Sequence, residues 1–145
     1  MIELNKGFVE MDDLNKLNIV CFDGVCGICN EWVDLLISKD SKRVLRYCPL
    51  QDSKIRPYIV QFGMDPLKLD TIIFLKKGEV FIKSDAVFEI MKEINFFSWA
   101  VPLLSLCPKA FRNIVYDLVA KNRYKIMPKK ENCRVPTKEE KDLFV

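Results

Sequence analysis

Only two residues, Lys77 and Gly78, separate the run Thr71-Ile-Ile-Phe-Leu-Lys76 from Glu79-Val-Phe-Ile-Lys83. Both runs are rich in β-branched and aromatic residues, and a connection that short joins strands only as an antiparallel hairpin. Upstream, Asn18-Ile-Val-Cys-Phe-Asp23 reads as a strand stopped by the Asp23-Gly24 turn signal, and Arg43 to Cys48 as a strand stopped by Pro49. Between those two strands the period is helical. Ile28, Cys29, Trp32, Val33, Leu35 and Leu36 recur at three- and four-residue spacing, with Asn30, Glu31, Asp34 and Lys39 on the other face. A helical crossover of ordinary length makes the strands it joins parallel. The chain must therefore combine a parallel pair with an antiparallel hairpin. This predicts an α/β fold with a mixed four-stranded sheet and helices on both faces.

The remaining segments fit around that sheet. Ser53 to Phe62 is a weak helix containing Pro57 and ended by Gly63, and Ser84 offers an N-cap for a helix burying Val87, Phe88, Met91 and Ile94. Phe97 to Leu106 is apolar nearly all round and contains Pro102. Pro108 can open a last helix with Phe111, Ile114, Val115, Leu118 and Val119 along one face. Together these predict a helical hairpin packed on the core. The expected organisation is a polar lead-in over 1–17, a core over 18–95, and a C-terminal hairpin with a basic tail over 96–145. With 145 residues this makes one domain, large enough to close a core without disulfide staples.

Charge and hydropathy limit the partners. The chain carries 23 basic and 20 acidic residues, a net charge of +3, which is too mild to argue for nucleic acid. Between Lys109 and Arg134, eight basic residues (Lys109, Arg112, Lys121, Arg123, Lys125, Lys129, Lys130, Arg134) stand against Asp117 and Glu131. A solvated helix face with a loose basic tail is the preferred reading there, ahead of an anionic partner or peripheral membrane contact. Met1 to Lys16 contains Glu3, Glu10, Asp12 and Asp13 and no apolar run, so no export leader is expected. Ile94 to Cys107, broken by Pro102, is too short to span a bilayer. A cytoplasmic location follows as the expectation, and structural disulfides are rare there.

The chain contains no histidine. That excludes every mechanism with an imidazole base or ligand, and leaves six cysteines as the richest reactive resource. The sharp feature is Asp23-Gly-Val-Cys26-Gly-Ile-Cys29, set between a strand and an amphipathic helix. A sulfur at the first turn of a helix meets unpaired N–H groups and roughly half a positive charge, which favours its thiolate. Cys29 follows one turn deeper on the same face. Cys26 is thus the candidate attacking thiol and Cys29 the candidate resolving thiol of a dithiol–disulfide exchange, with a protein or low-molecular-weight disulfide as partner and no cofactor. Asp23 could cap backbone N–H groups or take the proton released by Cys29, and both roles stay open. Two other readings use the same residues. A metal-binding or metal-delivery module would employ the same thiolates, although zinc would need two more ligands. A non-catalytic interaction domain would dock through its apolar 96–107 segment. Cys21, Cys48 and Cys107 read as packed thiols, whereas Cys133 lies in the basic segment, where a third reactive thiol could be presented.

Leu69-Asp70-Thr71-Ile-Ile-Phe-Leu-Lys-Lys-Gly78-Glu79-Val80 resembles the third-strand hairpin of thioredoxins, with Asp70 in place of the proline that precedes Thr71 there. That resemblance implies that Asp70 and Thr71 face the cysteine pair as accessory residues. The chain from about residue 18 to 145 is more similar to the small bacterial DCC family of thiol–disulfide oxidoreductases. The similarity runs through Asp23, Cys26 and Cys29 as the signature Asp-x-x-Cys-x-x-Cys, then Cys29-Asn30-x-Trp32, Val115-Tyr-Asp117, Ala120-Lys-Asn-Arg-Tyr124 and Cys133-x-x-Pro136. It implies a thioredoxin-like fold, with the four strands in order 2-1-3-4, and a redox role for Cys26 and Cys29.

Overall fold

The computed structural model describes residues 15–24, 27–65, 71–126 and 136–144. Four strands form one sheet in the order β2-β1-β3-β4, the order expected of a thioredoxin-like fold. Strands β1 (Asn18–Phe22) and β2 (Leu45–Pro49) run parallel, paired from Asn18 opposite Leu45 to Phe22 opposite Pro49. Strand β3 (Ile73–Lys76) runs antiparallel to β1 and to β4 (Glu79–Ile82). The β3–β4 turn works because Lys77 and Gly78 both take positive φ, 47° and 86°. That mirror-image turn follows the right-handed twist of the strands it joins.

Alternation along the strands divides the interior into two layers. Val20, Phe22, Leu45, Tyr47, Ile72 and Phe74 face helices α1 (Gly27–Lys39) and α3 (Lys83–Glu93), meeting Val33, Leu36, Ala86 and Ile90. On the opposite face Ile19, Cys21, Cys48, Ile73 and Leu75 meet Ile55, Tyr58 and Ile59 around the short helix α2 (Arg56–Gln61). All five residues of β1 are buried, as a strand covered on both faces requires. Each fully buried aromatic or aliphatic side chain of this kind contributes roughly 1.5–3 kcal/mol.

Local pattern and tertiary structure diverge at four places. Within α1, Leu35 is 37% exposed and Asn30 fully buried, the reverse of the periodicity reading, because Asn30 is drawn inward by a bond to the loop before the helix. Ser84 is not an N-cap: α3 begins one residue earlier, after the extended Ile82, and the Ser84 hydroxyl donates to Asn113 instead. The buried face of α3 accordingly includes Ala86 and Ile90, while Val87 and Ile94 are only partly covered.

The third divergence is the hairpin of α4 (Ala100–Ser105) and α5 (Lys109–Ile126). It packs against α3, and α5 also reaches α1, but the apolar stripe of α5 does not face inward. Phe111, Ile114, Val115, Leu118 and Val119 are all between 46% and 58% exposed. The docking side carries Arg112, Asn113 and Tyr116, whose polar atoms find partners on the core. Finally, the basic stretch expected as a loose tail is helical as far as Ile126, and residues 136–144 beyond it fold back onto the core. The Arg43 guanidinium donates to the Glu139 carbonyl at 2.9 Å, a short 3-10 turn (Lys141–Leu143) buries Leu143, and Phe144 bridges to Tyr47 at the outer edge of β2.

Candidate active site

The carboxyl end of β1 is where the strand order reverses, with β2 to one side and β3 to the other, and such switch points are where open α/β sheets place their sites. The chain leaves β1 at Phe22, whose carbonyl accepts the Leu50 N–H at 2.8 Å, and enters the loop that leads to α1. Asp23 there is 7% exposed. Its Oδ1 accepts from Gln51 Nε2 at 2.8 Å, and Gln51 Oε1 accepts the Gly24 N–H at 3.0 Å. One amide thus spans two consecutive loop residues, and the two bonds together fix which end of it is oxygen. From the helix side, Asn30 Nδ2 donates to the Gly24 carbonyl at 2.9 Å. The loop is therefore held from β2 and from α1 at once.

Cys29 sits in the first turn of α1 and is 7% exposed. It lies in the layer that also holds Val33, Phe22 and Ile72. Across the sheet, the register that pairs Cys21 with Ile73, continued by two residues, sets Thr71 opposite Asp23. Thr71 is 9% exposed. Its hydroxyl shares a 2.8 Å bond with the Tyr116 hydroxyl of α5, which also accepts the Ile72 N–H at 3.0 Å. Tyr116 thereby satisfies the start of β3 and ties the C-terminal helix to the site end of the sheet.

Among the sequence-derived candidates, Asp23, Cys29 and Thr71 are brought to one end of the sheet. Cys26, Asp70 and Cys133 lie outside the described residues. Gln51, Asn30 and Tyr116 complete the surroundings. Gln51 carried no local signal, since it follows a strand end and acts 28 residues back along the chain. Asn30 and Tyr116 did stand within stretches shared with the DCC family.

Of the other described cysteines, Cys21 and Cys48 are buried within the sheet itself and Cys107 lies on the helical hairpin. Cys21 and Cys48 are paired neighbours on β1 and β2. Burial, and then the proximity of Cys48, raises the Cys21 thiol well above its ordinary value. Burial, followed by Asp52 and partly offset by Lys54, pushes Cys48 up to about 12. Both are held as neutral thiols, poor nucleophiles. Cys107 is half-buried at the junction of α4 and α5. Among the described residues no group of three or more His, Cys, Asp or Glu side chains is arranged to hold a metal ion.

Native protein should leave Cys21 and Cys48 unlabelled by a maleimide that modifies both after unfolding in urea, and rapid labelling of either in the folded chain would contradict this packing. The same shifts carry a pH dependence. Above roughly pH 8.5 these thiols ionise in the unfolded chain but not in the folded one. Their contribution to stability is complete below that pH and is lost as pH climbs toward the folded-state values, so the urea midpoint should fall steadily through the alkaline range.

Comparison with known proteins adds a family context. A family model described as DCC1-like thiol-disulfide oxidoreductase matches residues 20–129. The chain is 30% identical over 127 residues to a Bacillus subtilis protein named "Uncharacterized protein YuxK", covering 88% of this chain and 93% of that one. It is also 30% identical over 135 residues to the Arabidopsis thaliana "DCC family protein At1g52590, chloroplastic", covering 92% of this chain and 77% of the relative. No solved structure matches significantly.

Proposed function

This chain belongs to the DCC1-like thiol–disulfide oxidoreductase family, and from that premise we propose that it performs dithiol–disulfide exchange through Cys26 and Cys29. The observation that supports this reading most is the position of Cys29. It occupies the first turn of α1, at the carboxyl end of the central parallel strand, beneath a loop clamped by Gln51 and Asn30.

The chemistry balances with two residues. The Cys26 thiolate attacks one sulfur of a substrate disulfide, that S–S bond breaks, and the departing thiolate takes a proton from solvent. Cys29 then loses its proton and attacks the Cys26 sulfur, releasing the second substrate thiol. Two electrons pass to the substrate, and the protein is left with a Cys26–Cys29 disulfide. Running the steps backward oxidises a dithiol substrate, so direction depends on the potential of the pair. The near-complete burial of Cys29 suits a resolving thiol, which must meet only the neighbouring sulfur. For Asp23 the support favours an anchoring role, because Gln51 holds its carboxylate and the next N–H together. Thr71, fixed by Tyr116, is assigned to the substrate-facing rim before β3.

Equilibration against glutathione redox buffers tests the proposal. Mass spectrometry should find one intramolecular bond, Cys26 to Cys29, forming and breaking in a single two-electron transition as the buffer is varied. If peptides containing Cys26 and Cys29 stay unlinked across the whole range of buffers, the proposal fails.

A further inference from the structure

The hairpin of α4 and α5 is anchored by its polar side and leaves its apolar side uncovered. Asn113 accepts from Ser84, Tyr116 is bonded to Thr71 and Ile72, Lys109 pairs with Asp85 at 2.6 Å, and Asp117 pairs with Lys83 at 3.1 Å. These contacts fix the rotation of α5 about its axis. The outward stripe is therefore set by the fold rather than left over from it.

Of the fourteen large hydrophobic residues exposed among the described residues, ten fall between Phe97 and Val119. Leu106 is 80% exposed, Trp99 71% and Leu103 62%. Phe96, Phe97 and Trp99 form a ring cluster at the head of α4, with centroids 4.3 Å and 6.0 Å apart. A groove of about 400 Å³ between α3, α4 and α5, lined by Phe88, Met91, Leu104, Phe111 and Val115 among others, continues the same surface. A concentration of apolar surface on this scale marks an interaction face.

Charge selects the occupant. Lys109 and Arg112 are taken up by Asp85 on the docking side, but beyond Asp117 the sequence of α5 holds Lys121, Arg123 and Lys125 and no acid. Lys121 and Lys125 follow Ile114 and Leu118 at helical spacing, so the basic end of α5 continues the line of the apolar stripe. A second copy docked through the same hairpin would offer these cations only Asp117, which is already paired with Lys83. An anionic lipid surface would neutralise them, while Trp99 and Phe97 suit the headgroup level and the leucines the acyl boundary.

We propose that the α4–α5 hairpin docks this protein peripherally on bilayers containing anionic lipid. No helix among the described residues is long and apolar enough to cross a membrane, so the contact lies in the interface plane. From sequence a solvated basic face was favoured because charge runs usually only solvate; the outward orientation of the α5 stripe beside those charges is what turns the preference toward a membrane surface.

Sedimentation of the full chain with phosphatidylcholine vesicles, with and without phosphatidylglycerol, tests the proposal. Binding should need phosphatidylglycerol, weaken in high salt, and shift the emission of Trp99 to the blue. Lys121→Glu with Lys125→Glu should weaken binding by about tenfold or more, and so should Leu106→Glu with Leu118→Glu, with the circular dichroism of both variants unchanged. No binding to the anionic vesicles overturns the proposal. So does a stable dimer that the leucine variant converts to monomer, since the face would then belong to a second copy.

Discussion

Replacing Cys26 with Ser should reduce disulfide exchange to the uncatalysed background, while replacing Cys29 with Ser should leave a protein that reacts once and then carries its substrate covalently. The contrast follows from the order of the two attacks. A hydroxyl at position 26 has no thiolate to offer at neutral pH, so the first S–S bond is never broken. A hydroxyl at position 29 leaves the first attack intact but removes the group that frees the product, and the mixed disulfide accumulates. Non-reducing electrophoresis with a protein disulfide, or intact-mass measurement with a glutathione adduct, separates the two outcomes. Since Cys29 is 7% exposed and packed in the main layer, its serine variant should also be checked for folding. A Cys26→Ser protein that turned over substrate at the parent rate would move the chemistry to another cysteine.

A comparably large effect is expected at a residue that takes no part in electron transfer. Asn30 is fully buried, and its Nδ2 donates to the Gly24 carbonyl at 2.9 Å. In Asn30→Asp that donor is lost and a carboxylate oxygen faces the carbonyl. A buried polar contact broken in this way and left with an uncompensated charge costs about 3–5 kcal/mol. The introduced carboxyl would be pushed above its ordinary value and would be neutral in acid. The sign is then fixed: the deficit is smallest below about pH 4, where folded and unfolded chains are both protonated, and grows as pH rises toward neutrality. Exchange activity should fall with it, because the loop leading to Cys26 loses its tie to α1. Urea unfolding at pH 4 and pH 7 makes the comparison. Equal stability of parent and variant at pH 7 would remove Asn30 from the framework of the site.

How much of this could be read from residues alone depended on the range of the interaction. The β3–β4 hairpin was legible because only Lys77 and Gly78 separate its strands, and the parallel β1–β2 pair because a helical crossover joins them, whereas the strand order came with the thioredoxin-like resemblance. Periodicity located the helix that carries Cys29 but set that residue one turn deeper, whereas α1 begins at Gly27 and Cys29 lies in its first turn. Gln51, by contrast, clamps a loop 27 and 28 residues before it, and no local pattern announces such a bond. Ser84 had the residue type of a cap, but Asn113 on a distant helix competed for its hydroxyl. The α5 stripe shows a limit of amphipathicity itself: periodicity reveals that a helix has an apolar side, not that four polar attachments will turn that side outward.

The return of Phe144 to the β2 edge also has a temporal side. Arg43 and the Glu139 carbonyl that it holds are 96 residues apart. On a ribosome adding about 5–20 residues per second, the outer edge of β2 emerges roughly 5–20 s before the segment that covers it. Through that interval an unpaired row of N–H and C=O groups is open to strand addition by other nascent chains. Yield during expression should therefore respond to chaperone supply and growth temperature more strongly than the stability of the finished protein would suggest.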